Sequence, residues 1–131
     1  MSDEQNERKV TNTVRPVRDL LLLMPLLPIR NCCEINYEAA DADLLVDIAR
    51  HAETTLRTVH LGTSAIGELL VHASPEIGTG EFPANTIEAL GWLLADLGDL
   101  AATAHLLMAG CQHYTSNYSP REPKQTPPAR P

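Results

Sequence analysis

The chain has 131 residues, a formal net charge of −7 at pH 7 and only 4% aromatic residues. This length is typical of one domain. The acidic balance disfavours nucleic acid as the main partner, because phosphate binding needs clustered Lys and Arg. Three cysteines are an odd number and do not indicate a disulfide framework. Leu and Ala, both strong helix formers, supply most of the apolar residues, and no alternation of apolar and polar residues predicts strands. We therefore predict an all-α fold.

The chain begins with a polar stretch, residues 1–17, which is mixed in charge and lacks periodicity, so we predict a disordered tail. Residues 20–29 are almost entirely apolar, but Pro25 and Pro28 prevent a long helix through them. One turn of helix followed by extended chain is expected there. A segment this apolar must be covered, either by the core of this protein or by another chain.

The polar N-terminus does not resemble a signal peptide, and the apolar segment is about half the length that spans a bilayer. We therefore expect a cytoplasmic protein that does not bind membranes.

The first long helix is predicted over residues 37–73, with Asn36 as its N-cap and Pro75 ending it. Gly62 could divide it into two shorter helices, but the apolar register is the same on both sides of the glycine, which favours one helix. The residues that keep this register are Leu45, Ile48, Ala52, Thr55, Val59, Gly62, Ile66, Leu69 and Ala73.

The second long helix has the clearest pattern in the chain, because its apolar residues recur at spacings of three and four and so share one face. We predict that it runs from the N-cap Asn85 to about Ala109, with Gly110 ending it. The face consists of Ile87, Leu90, Leu94, Leu97, Ala101, Ala104, Met108 and Cys111. Beside it lies a second row, Leu93, Leu100 and Leu107. The apolar face is therefore wider than one partner helix needs.

A Pro- and Gly-containing loop, residues 74–84, joins the two helices, which favours an antiparallel hairpin. Aligned from the loop, Leu97 would pack into the space left by Gly62. The hairpin is expected to complete a three- or four-helix bundle with residues 20–29 or with a second subunit. The predicted helical hairpin domain covers residues 18–114, and residues 115–131 form a disordered, Pro-rich tail.

Potential catalytic and metal-binding residues are few. Cys32, Cys33, Cys111 and His113 could bind zinc, but adjacent cysteines are a poor chelate spacing and no Cys-x-x-Cys pair exists. Asp96 and Asp99 share the polar face of the second helix without the Glu-x-x-His of a di-metal bundle. No phosphate loop, nucleotide fingerprint or nucleophile–base arrangement is present. We expect no catalytic residues, no metal and no cofactor.

The stretch Ile87-Glu88-Ala89-Leu90-Gly91-Trp92-Leu93-Leu94-Ala95-Asp96-Leu97-Gly98, preceded by a helix and a Pro/Gly loop, resembles small uncharacterised helical-hairpin proteins of bacterial prophages and mobile elements. The resemblance covers about half of the chain. It implies an accessory interaction protein with no assigned activity.

These observations predict a non-enzymatic protein–protein interaction module that forms a homodimer and binds another protein, as a regulator, adaptor or inhibitor of a bacterial or phage complex. A small-ligand or metal-binding bundle and a peripheral membrane protein are the alternatives. The residues expected to contact partners are Leu20, Leu21, Leu22, Leu23, Leu26, Leu27, Trp92, Leu93, Leu100 and Leu107.

Overall fold

A computed structural model describes residues 15–120, and two long helices that pack together as a hairpin dominate it. In chain order the elements are α1 (Pro16–Leu23), β1 (Ile29–Arg30), β2 (Glu34–Ile35), α2 (Ala42–Gly78) and α3 (Ala84–Tyr114). Short 3₁₀ turns lie between α1 and α2, and the two strands pair antiparallel, with Ile29 opposite Ile35. The mostly helical hairpin confirms the expected class. The small sheet was not expected, because two-residue strands are too short to show an alternating pattern.

The hydrophobic core lies at one end of the hairpin, which we call the base and define as residues 15–59 and 101–120. α1 packs on α2 there. The buried residues of the cluster are Leu20, Leu27, Leu45, Ile48, Ala49, Ala52, Ala104, Leu107 and Cys111. They come from α1, the segment after it, the first turns of α2 and the C-terminal half of α3. The N-terminal apolar segment therefore finds part of its cover within this chain.

The start of α2 differs from the prediction. Asn36 does cap a turn, because its side-chain oxygen accepts a hydrogen bond from the Ala39 N–H at 3.4 Å, but that turn is a separate 3₁₀ turn. α2 begins five residues later than predicted, at Ala42, after Asp41 in an extended conformation. The Asp41 carbonyl accepts the first helical hydrogen bond, from the Leu45 N–H at 3.1 Å.

α2 continues through both positions where a break was considered. Gly62 lies inside the helix, and so does Pro75, which we expected to end it. A proline has no N–H for the carbonyl of Val71, four residues earlier. The Ser74 hydroxyl instead donates to that carbonyl at 2.8 Å. The neighbouring serine thus satisfies the acceptor, and the helix extends to Gly78.

A Schellman motif ends α2. The Glu81 N–H donates to the Glu76 carbonyl at 3.3 Å, and the Gly80 N–H donates to the Ile77 carbonyl at 3.2 Å. Gly80 has a φ of 82°, a left-handed conformation that favours glycine. The connection to α3 is therefore five residues, 79–83, and shorter than the predicted loop.

α3 is longer at both ends than predicted. It begins at Ala84, so Asn85 lies within the first turn and does not cap the helix, and it continues past Gly110 to Tyr114. A Cβ added to Gly110 would lie 2.6 Å from both Cζ and Oη of Tyr37. The Tyr37 ring in turn stacks on Tyr114, with 5.3 Å between ring centroids. Gly110 therefore allows a close approach between chain segments and does not stop the helix.

Beyond α3, the Tyr118 hydroxyl donates a hydrogen bond to the Asp43 carboxylate at the start of α2. This contact fixes the first residues of the predicted C-terminal tail against the base. Residues 1–14 and 121–131, for which we predicted disorder, lie outside the described part of the chain.

Candidate docking surface

Beyond the base the hairpin continues as two helices and their connection, residues 60–100, which we call the distal arm. It contains no fully buried side chain. All buried residues of α2 lie between Leu45 and Val59, and all those of α3 lie between Ala101 and Cys111. The arm therefore comprises about half of each long helix, and it has no core of its own.

The arm is held together by a seam of half-buried residues at spacings of three and four. On α2 these are Thr63, Ile66, Leu70, Ala73 and Ile77, and on α3 they are Leu90, Leu94, Leu97 and Leu100. Leu90, Leu94 and Leu97 belong to the predicted face, whereas Leu100 belongs to the predicted second row. Ile87, which begins the predicted face, is exposed.

On α2 the seam passes through Thr63 and Leu70, whereas the predicted register placed Gly62 and Leu69 there. A strict seven-residue repeat drifts about 20° per heptad around a straight helix, which moves the contact line to the next residue. Gly62 consequently has nothing within 4 Å of an added Cβ, so the expected packing of Leu97 into it is wrong.

Large apolar side chains on the arm are exposed to a degree that is unusual for a monomer. Leu69 is 68% exposed, Trp92 67% and Leu93 49%. Leu61, Val71 and Phe82 are exposed as well. Single exposed leucines need no explanation, but several along one two-helix arm make it a candidate docking surface.

Two grooves follow the helix pair. The first is about 280 Å³, lies at the tip, and has an almost entirely apolar lining that includes Ile66, Leu69, Phe82 and Leu90. The second is about 570 Å³, lies where the arm meets the base, and is lined by small residues together with Leu56, Leu94, His60 and His105. The tip groove is the better candidate for binding an apolar side chain of a partner, because its walls carry almost no polar surface.

The predicted contact residues fall into different environments. Leu20, Leu27 and Leu107 are buried in the core of the base and hold the fold together, so they are not available to a partner in this conformation. Leu23 and Leu100 are half-buried. The exposed members are Leu21, Leu22, Leu26, Trp92 and Leu93.

The sequence analysis did not name Leu61, Leu69, Val71 or Phe82 as exposed contact residues. Leu69 was placed on the buried face because the predicted register did not allow for helix drift. Leu61 and Val71 lie outside the predicted register, so their exposure could have been inferred from it.

Charge is distributed unevenly between arm and base. The arm carries six carboxylates and no Lys or Arg. These six residues, all exposed, are Glu68, Glu76, Glu81, Glu88, Asp96 and Asp99. Within residues 60–100 none of them forms an ion pair, whereas Arg18, Arg30 and Arg50 in the base pair with acidic neighbours. The arm is therefore a strongly acidic surface with an apolar strip along it.

The cysteines that were weighed as zinc ligands do not form a visible site. Cys111 is fully buried and Cys33 is exposed, and both are free thiols. The Cys32 side chain lies outside the described residues. Across the described part of the chain, no group of three or more His, Cys, Asp or Glu side chains is arranged to hold a metal ion.

The base should lose stability at alkaline pH. Burial raises the pKa of the Cys111 thiol from 9.0 to about 11, and burial together with the nearby Cys111 and Tyr114 raises the pKa of Tyr37. Because the unfolded chain loses these protons at lower pH than the folded chain, the contribution of Cys111 to the free energy of unfolding is complete below pH 9.0 and falls as the pH rises to about 11. The contribution of Tyr37 is complete below its ordinary pKa of 10.0 and falls above it. Urea denaturation between pH 7 and pH 11 measures it. In Cys111→Ala the alkaline loss should be smaller, and an equal loss would contradict a role for this thiol.

α3 is long and apolar enough, by length and composition alone, to cross a membrane. The most apolar 18-residue window has a mean hydropathy of 1.2, and 17% of that window is buried. Core helices of water-soluble proteins pass the same test, so the finding is weak evidence for a membrane span. It shows that half of the arm is built from an apolar helix.

Comparison with known proteins adds no relative: no protein-family model, curated protein or solved structure matches the chain.

Proposed function

We propose that this chain is a non-enzymatic protein–protein interaction module whose docking surface is the distal arm. The observation that carries the proposal is that the paired helices of residues 60–100 have only half-buried residues between them and no fully buried side chain. An arm with Leu69 and Trp92 about two-thirds exposed retains apolar surface that helices of a partner would cover.

The base supports this role because it orients the arm. Leu45 and Ile48 of α2 are packed in one cluster with Leu107 of α3, and the Tyr118 contact with Asp43 closes the same end. The two helices therefore extend from a rigid base in a fixed orientation relative to each other. A regulator, adaptor or inhibitor of a bacterial or phage complex, as the sequence resemblance implies, would need such a presented surface.

The homodimer expected from the sequence remains a proposal. Two arms that pack side by side would form a four-helix bundle and cover both apolar strips, but they would also bring two sets of six carboxylates together without a Lys or Arg of either arm between them. A cytoplasmic location and the prophage origin likewise remain proposals that rest on the sequence alone.

Site-specific photo-crosslinking tests the proposed function. A photoreactive amino acid would replace Leu69 in the arm or, as the matched control, Leu106 of α3, which is 72% exposed in the base and is not a predicted contact residue. Irradiation in native host cells should yield a protein adduct from position 69 and little from position 106. An adduct of twice the mass of the chain would indicate a homodimer, and a different mass would indicate another protein. Absence of any protein adduct at position 69 would contradict the proposal.

A peripheral membrane role is the second candidate, because α3 has the hydropathy of a membrane helix. Interfacial helices bind anionic lipids through Lys and Arg, and the arm has neither. Flotation with phosphatidylglycerol vesicles would support this role, and recovery of the chain in the unbound fraction would exclude it.

A further inference from the structure

The apolar strip of the arm continues a surface that is already covered in the base. Leu93, Leu100 and Leu107 recur every seven residues on α3, and their exposure falls from 49% through half-buried to 5%. Leu107 is covered because it lies in the buried cluster of the base, together with Leu27 and Leu45. This cluster does not extend to Leu93. A helix bound along the arm would thus cover the exposed end of a row whose other end the fold itself buries.

The carboxylates determine what kind of helix fits there. Glu76 lies one turn beyond Ala73, which lines the tip groove, and Asp96 lies one turn beyond the exposed Leu93. No Lys or Arg of the arm neutralises them. A ligand with positive charge beside its apolar face would relieve the repulsion among these carboxylates, whereas an acidic ligand would increase it.

We propose that the distal arm binds a basic amphipathic α-helix of another protein. The apolar face of this helix covers the groove at Leu69 and Leu90 and the row at Leu93, and its Lys and Arg side chains lie beside Glu76 and Asp96. The inference rests on the proposed function and adds the chemistry of the partner.

Other occupants fit the charges less well. A second copy would bring another six arm carboxylates, and again no Lys or Arg, against the first. An anionic lipid surface would be repelled for the same reason. A basic helix alone matches both the apolar strip and its acidic border.

Two model peptides test the inference on the full chain. Each is a helix of about 20 residues with leucines at the i, i+3, i+4 and i+7 positions. One carries Lys at all other positions and its control carries Glu. Isothermal titration calorimetry and the emission of Trp92, the only tryptophan, report binding. The Lys peptide should bind, and its affinity should fall about tenfold between 50 and 500 mM NaCl as charges are screened. The Glu peptide should show no measurable binding.

Matched variants locate the site. Glu76→Gln combined with Asp96→Asn should weaken the Lys peptide several-fold, whereas Glu34→Gln combined with Glu53→Gln, two exposed carboxylates of the base, should leave its affinity unchanged. All four substitutions are at exposed positions, so folding should be unaffected.

Several results would overturn the inference: equal binding of both peptides, no binding of the Lys peptide, equal effects of the two double variants, or a stable dimer that excludes the peptide. Binding of the chain to phosphatidylcholine vesicles in preference to either peptide would do the same. These failures are separate from failure of the proposed function, because a crosslinked protein at position 69 would still stand with any partner chemistry.

Discussion

Leu45→Ala should lower the free energy of unfolding by about 2–5 kcal/mol, whereas Leu69→Ala in the same helix should change it by less than about 0.5 kcal/mol. Leu45 is 2% exposed in the core of the base, so its truncation leaves a cavity beside Ile48 and Leu107. Leu69 is 68% exposed, so its truncation removes little packing. Because both changes replace leucine by alanine within α2, differences in helix propensity cancel between them.

Urea denaturation monitored by circular dichroism gives both values. The Leu69→Ala measurement should be repeated at protein concentrations that span two orders of magnitude. If a second copy covered Leu69, its truncation would destabilise the protein and the effect would depend on concentration. Comparable losses for the two variants would contradict the division between a packed base and a coreless arm.

This division is the part of the structure that the sequence predicted least well. The repeat of three and four from Leu90 to Cys111 correctly predicted a helix face, because helical periodicity is a local property. The same repeat gave no indication that Ala101, Ala104 and Cys111 are fully buried while Leu90 and Leu94 are only half-buried. Depth of burial depends on where α1 packs, and that contact joins residues distant in the chain.

The ends of the helices are a second feature that the sequence predicted poorly. Pro75 and Gly110 are residues that usually terminate helices, and both lie inside helices here. At Pro75 a neighbouring serine hydroxyl replaces the missing hydrogen bond, and at Gly110 a tyrosine ring occupies the space. Both residues were predicted to end their helices, and both predictions were wrong, because the contacts of the Ser74 and Tyr37 side chains with these positions are not visible in the pattern of the sequence.

The candidate surface was predictable in kind, and Trp92 and Leu93 were among the predicted contact residues, but most of its other members were not predicted. The excess of apolar residues over what one hairpin can bury was evident from the second row, Leu93, Leu100 and Leu107. The structure places Leu107 in the core and Leu93 on the surface. An excess of apolar residues can be counted from sequence, whereas its distribution between core and surface follows from the tertiary fold.

Gly110→Ala should be about 1–3 kcal/mol less stable than Gly91→Ala, although both exchange glycine for alanine inside α3. At Gly91 nothing lies within 4 Å of an added Cβ. Alanine there should stabilise the helix by about 1 kcal/mol. At Gly110 the Cβ would lie 2.6 Å from the Tyr37 ring, which must move. That ring is stacked on Tyr114, so its displacement also disturbs the contact between the two tyrosines.

A double-mutant cycle separates this steric cost from any other effect of the alanine. In a Tyr37→Ala background the ring is absent, so Gly110→Ala should gain about the same 1 kcal/mol as Gly91→Ala in the wild-type chain. A coupling energy of about 1–3 kcal/mol between the two substitutions would establish that Gly110 is small because Tyr37 needs the space. If Gly110→Ala stabilised the wild-type chain as much as Gly91→Ala does, the ring would have to pack elsewhere, and the 3₁₀ turn that carries Tyr37 would not be anchored to α3.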